Sequence, residues 1–208
     1  MHRKTSGQSP FVFSNCQDLR SLPHAAVPFE EGLHGGFAVD RRPGYGHIYY
    51  GMAGCGLLRV SPDLTTQDVL ELDSDLKSLN FHSTKIGEFD GSIRLFLPAD
   101  KGEMVAVVTL DGDVDFVLPK PAFDEFLQEG NNFMPTDTVP VGSRLFITDG
   151  YGANYISSVD LSTRRWDGIF GGRSDNTEEH GGFGNAHGAD LTPAGPHLAI
   201  ADRSHSRF

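Results

Sequence analysis

The feature that most narrows what this chain can fold into is a repeat. Three stretches, LHGGFAVDRRPGYGHIYYG (33–51), FHSTKIGEFDGSIRLFL (81–97) and AHGADLTPAGPHLAIAD (186–202), share one order. Each has a histidine, a small or polar pair, a short strand, a Gly/Pro turn and a second short strand. The histidines, His34, His82 and His187, are separated by 48 and then 105 residues. The longer gap is two periods of about 52 residues. MPTDTVPVGSRLFITDG (134–150), which has the rhythm without the histidine, fills it. A repeat of this size is one supersecondary unit that buries its faces only by stacking on its neighbours.

The units read as short strands. The first runs through GGFAVD (35–40), GHIYYG (46–51), GLLRVSP (56–62) and TQDVLELD (66–73). The second runs through STKIGE (83–88), SIRLFLP (92–98), EMVAVVTLD (103–111) and VDFVLP (114–119). The third runs through PTDTVPV (135–141), SRLFITD (143–149), NYISSVDLS (154–162) and WDGIFGG (166–172). The fourth has GADLTP (188–193) and HLAIAD (197–202). Four short antiparallel strands per unit, punctuated by Gly, Asp and Pro, predict an all-β chain and a β-propeller with four-stranded blades. The competing all-β reading is a sandwich. Residues 1–31 read as an N-terminal extension or partial blade, with a strand over 11–15. Residues 32–208 read as propeller: about three full blades and an incomplete fourth, part of a six-bladed ring. The stretch 121–133 is the one helix-like segment, with Pro121 opening it and Phe123, Phe126 and Leu127 on one face.

Composition sets outer bounds. Hydrophobic residues make up 38% of 208, enough for a core. The formal charge of −11, with no basic stripe, argues against a nucleic-acid partner. No apolar run reaches membrane-spanning length and no signal peptide is visible, so a soluble chain is expected, in a compartment left open. Cys16 and Cys55 are the only cysteines. They form no CxxC motif; a disulfide is allowed but not required, and Cys55, among glycines, reads as a free structural thiol.

Equivalent positions on successive blades project toward one axis, so the phased histidines can converge across 105 residues. Two or three neutral imidazoles converging there would suit zinc, which takes three protein ligands and an open position in catalytic sites. The alternative for each histidine is a hydrogen bond to the backbone of the next blade. Tyr151, between glycines, sits at a strand end where a phenol could orient a substrate or move a proton. Arg203 could clamp a carboxylate or pair with Asp202. His205 and Arg207 read as turn and outer-strand residues, His180 as a solvent-facing loop residue and Trp166 as a packing residue. Asp149, Asp160 and Asp202 read as acceptors for turn amides. There is no Walker loop, dinucleotide fingerprint or GxSxG elbow.

The segments LFITDGYGANYISSVDLSTRRWDGIFGG (145–172) and EEHGGFGNAHGADLTPAGPHLAIADRSHSRF (178–208) resemble NHL-repeat propellers. Within that group they are most similar to the lyase domain of peptidyl-glycine alpha-amidating enzymes. The likeness spans about 81–208 and rests on the DGY turn and the ADR-x-x-x-R strand. It implies a zinc held by histidines from alternate blades, with His82 and His187 as two ligands and a third beyond His187. It implies Tyr151 as the active-site tyrosine, Arg203 as the substrate-binding arginine, and calcium through the Thr84 carbonyl. His34 falls where the family has an arginine-bearing segment, and a substrate contact is expected of it. Phe81 and Ala186 stand where the family has proline. The function implied is a zinc-dependent lyase acting on a small molecule or peptide. The alternative is a non-catalytic NHL-type propeller that binds a protein partner.

Overall fold

The computed structural model describes residues 5–14 and 21–208. Cys16 lies outside them. The chain is almost entirely β-structure. A hairpin of β1 (Thr5–Gln8) and β2 (Phe11–Ser14) precedes a 3-10 turn at Val27–Gly32. Three four-stranded antiparallel sheets follow in strict chain order. The first holds β3 (Phe37–Val39), β4 (Ile48–Met52), β5 (Gly56–Val60) and β6 (Gln67–Leu70). The second holds β7 (Lys85–Phe89), β8 (Ser92–Ala99), β9 (Met104–Val108) and β10 (Val114–Pro119). The third holds β11 (Asp137–Val141), β12 (Arg144–Thr148), β13 (Tyr155–Asp160) and β14 (Arg165–Gly171). A pair, β15 (Ala186–Leu191) and β16 (Leu198–Asp202), completes the order. Each is a simple up-and-down meander, as expected from the turn signals between the runs.

The sheets stack face to face, and the period-2 alternation of strand side chains shows how. In β8 and β9, Leu95, Leu97, Ala106 and Val108 pack with Tyr49, Leu57 and Leu70 of the first sheet. The alternate residues Phe96, Val105 and Val107 pack with Leu145, Ile147 and Val159 of the third. A sheet covered on both faces needs apolar residues at every position, which is why LFLPA (95–99) and MVAVV (104–108) are continuous runs. The first strands, β3, β7, β11 and β15, meet from sheet to sheet along one edge, where β11 also approaches β8 and β15 approaches β12. Gly87 permits one such approach: a Cβ there would lie 2.6 Å from the Pro140 ring.

The helix-like stretch is shorter than its pattern. Only Asp124–Leu127 (α2) forms a turn of helix, capped by Phe123, and Pro121 lies ahead of it. Phe126 is buried against Phe133 and Tyr155, whereas Leu127 is exposed. Burial of Phe126 and Phe133 beneath the third sheet replaces an amphipathic face. A second single-turn helix, Ser74–Lys77 (α1), is capped by the Asp73 carboxylate, which accepts from the Asp75 amide. Cys55 is free and buried with Met52, Leu58 and Ala26. Trp166 packs edge-on against Phe133. Among the described residues no helix is long and apolar enough to cross a membrane.

Candidate functional site

His34, His82, Thr136 and His187 lie at the leading ends of β3, β7, β11 and β15, on the edge where the sheets meet. The His82 ring stands edge-on to both His34 and His187, at centroid distances of 4.8 and 4.6 Å. They border a cavity of about 320 Å³ floored by Gly36, Ser83 and Gly188.

Each ring is held differently. The His82 amide donates to the Pro98 carbonyl at 2.9 Å, and the ring is buried. Its Nδ1 lies 2.8 Å from the Thr136 carbonyl. A carbonyl only accepts, so Nδ1 carries the hydrogen and Nε2 presents a lone pair. That lone pair faces the Tyr151 hydroxyl at 3.2 Å, and His187 Nε2 faces the same hydroxyl at 3.1 Å. A phenol has one hydrogen. Tyr151 therefore donates to His82 and accepts from His187, giving a three-member hydrogen-bonded chain. Arg203 lies over the tyrosine, its guanidinium carbon 5.6 Å from the ring centroid, within cation–π range.

Tyr151 reaches this point because its turn is fixed on all sides. Asp149, fully buried, accepts from the Met134 amide at 2.5 Å and the Ala153 amide at 2.7 Å. Asn154, in the left-handed region at φ 65°, accepts through Oδ1 from the Ala186 amide at 3.0 Å, tying the turn to the residue before His187. Gly150 presses against the same place: a Cβ would lie 2.5 Å from the Ala186 carbonyl oxygen. Below the histidines, the Asp137 carboxylate accepts from Ser83 Oγ at 2.7 Å and the Ala189 amide at 2.9 Å. One side chain thus joins three successive inner strands.

Burial governs the charge states. It lowers the pKa of His82 against the opposing pull of the Thr136 carbonyl. It lowers His187 to about 4, aided by the neighbouring His82 and Arg203 charges. Both imidazoles are therefore neutral at pH 7, the form that binds a metal or takes a proton. Burial also pushes the Asp149 carboxyl up to about 7, against the amides that point at it.

All five residues singled out from the sequence, His34, His82, Tyr151, His187 and Arg203, fall in one cluster. Arg203 does not pair with Asp202; Arg207 does, at 3.1 Å. His205 lies in the turn after β16, as expected, with its ring against that carboxylate at 2.8 Å. Asp149, Asp160 and Asp202 accept turn and loop amides as expected, and His180 is exposed. Sequence reasoning missed the Thr136 carbonyl that orients His82, and it missed Asn154. The phase did mark Thr136, but a backbone carbonyl leaves no residue-type signal. Among the described residues no group of three or more His, Cys, Asp or Glu side chains is arranged to hold a metal ion. The donor set offers two imidazoles whose Nε2 atoms a metal would have to take from the Tyr151 hydroxyl, and the His82 ring has its other nitrogen anchored, as metal-binding histidines do.

No family model matches the sequence, and no curated protein matches it. Among solved structures, a structural-genomics protein of unknown function from Bacteroides thetaiotaomicron VPI-5482 superposes with a TM-score of 0.61 at 16% identity. The match covers 85% of this chain and 46% of that one, so this chain spans less than half its length. The computationally designed Ika4 protein matches with a TM-score of 0.45 at 12% identity, over 82% of this chain and 91% of that one.

Proposed function

We propose that the sheets are consecutive blades of a six-bladed, NHL-like propeller, and that the axial cluster is the centre of a metal-assisted lyase. The observation that carries the reading is the convergence of His82 Nε2 and His187 Nε2 on one phenol oxygen. Two neutral imidazoles from alternate sheets and a phenol form a proton path that opens onto a cavity, with an arginine above it. A purely structural histidine has no need of that arrangement.

In this reading the chain's own groups divide the work. Tyr151 passes a proton to or from a substrate hydroxyl once a metal takes the two Nε2 atoms that its hydroxyl faces here. Arg203, exposed and without a carboxylate partner among the described residues, holds an acidic group of the substrate. Zinc, when bound by His82, His187 and a third donor from outside the described residues, would polarise a hydroxyl or carbonyl oxygen. Among the described residues no group of three acidic side chains is gathered at the Thr84 carbonyl, the position the resemblance implies for calcium.

The test is elemental analysis of metal-supplied protein, followed by turnover of a peptidyl alpha-hydroxyglycine. Zinc near one per chain, lost when His82 and His187 are both replaced by Ala, is the expected result. Tyr151→Phe and Arg203→Ala should keep the metal and lose roughly 10²–10⁴ in turnover. Well-folded protein without metal or turnover would leave the second reading, a protein-binding propeller. The exposed Phe37 and Leu33 beside Ile48 and Tyr50 favour that one.

A further inference from the structure

We infer that His34 is wired as the opposite tautomer to His82, and that it donates a hydrogen bond from Nε2 to an anionic oxygen of the ligand in the axial cavity. This goes beyond the lyase reading but rests on its premise that the cavity takes a ligand.

Asp100 is buried, and its Oδ1 accepts from the Lys101 amide at 2.7 Å and from Asn80 Nδ2 at 3.3 Å. A carboxylate accepts and cannot donate, so it turns the amino end of Asn80 toward itself. The same amino group lies 3.4 Å from His34 Nδ1. With a donor facing it, Nδ1 accepts, and in a neutral imidazole the single hydrogen is then on Nε2. His34 has no other hydrogen-bond partner among the described residues. Its Nε2–H is left for whatever enters the cavity that it lines. His82 runs the other way: its Nδ1 gives its hydrogen to Thr136, and its Nε2 is a lone pair. Neighbouring rings of the same phase are therefore a donor and an acceptor.

With Nδ1 engaged by Asn80 and its hydrogen on Nε2, His34 faces the cavity as a donor. The N–H at the cavity edge calls for an acceptor oxygen on the ligand, and the Arg203 guanidinium over the Tyr151 ring puts a positive charge beside the same histidine cluster, so a small carboxylate suits both.

Long-range 1H–15N spectra of the full chain above pH 7 read each tautomer directly. His34 is expected to carry its hydrogen on Nε2 and His82 on Nδ1. Asn80→Leu should turn His34 into a mixture and leave His82 unchanged. A His34 hydrogen on Nδ1 in the wild type, or a ratio indifferent to Asn80→Leu, would overturn the wiring. For the ligand, glycolate titrated into metal-free protein should shift the His34 Nε2 signal. His34→Ala should weaken glycolate about tenfold, and His34→Gln, which restores a side-chain N–H, should recover most of it. No glycolate binding, or equal binding in both variants, would overturn the donor role. Zinc content separates the two readings. Correct tautomers without zinc would sink the lyase and spare the wiring, and zinc with the wrong His34 tautomer would do the reverse.

Discussion

The first sheet and the three that follow it solve the same problem by different means. In the later units the second strand ends on a buried aspartate: Asp100 after β8, Asp149 after β12 and Asp202 at the end of β16. Each reaches back to the loop before the axial residue, to the Asn80 side chain, the Met134 amide and the Gly184 and Asn185 amides. Those contacts lie two or three residues ahead of His82, Thr136 and His187. In the first sheet β4 ends on Met52, which plugs an apolar cluster with Cys55 and Leu58. Among the described residues no carboxylate then holds the loop before His34, and that ring is exposed while His82 is buried. A position in the repeat decides where a side chain stands. The groups packed around it decide which of its nitrogens is free: the Thr136 carbonyl at His82, and at His34 the Asn80 amide that Asp100 turns.

The comparison can be broken first at its strongest clamp. Asp149→Ala strands two buried amides and should cost about 3 kcal/mol, read by urea unfolding. Asp100→Ala loses one amide and a long side-chain contact and should cost about 1 kcal/mol. Equal costs would mean that the carboxylates are not graded as the geometry grades them.

A second test uses sign. The His187 pKa lies near 4, below its unfolded value of 6.5, so the unfolded chain takes up a proton first and stability falls as pH drops from about 6.5 to 4. Asp149 runs oppositely. Its folded pKa of about 7 lies above 3.8, so its contribution is complete below 3.8 and is lost as pH rises through about 7. In metal-free protein His187→Gln should therefore flatten the acid limb, and Asp149→Asn should flatten the rise-dependent loss between pH 4 and 7. Matching effects from the two variants would contradict the assignment.

Smaller effects sharpen the picture. Asn154→Ala removes the acceptor for the Ala186 amide and places a Cβ-bearing residue without a polar side chain in the left-handed region. A loss of about 1–2 kcal/mol is expected, with Tyr151 loosened. His180→Ala, on an exposed loop, should change stability by less than about 0.5 kcal/mol and leave metal content alone. A larger shift would place His180 in the site.

What the sequence determined by itself was the repeat and nearly every strand, because four runs of alternating or continuous apolar residues between Gly, Asp and Pro turns have few other ways to bury themselves. It also determined that His34, His82 and His187 share a phase. The helix-like stretch failed because Phe126 and Phe133 are drawn under the third sheet by contacts far away in sequence, which override local periodicity. Asp100, Asn80 and the Thr136 carbonyl went unread for a related reason. Their effect is exerted across strands and between sheets, and a backbone carbonyl is the same in every residue. Only the tertiary structure decided which imidazole nitrogen carries the hydrogen, since that depends on whether the nearest group is an acceptor, as at His82, or a donor, as at His34.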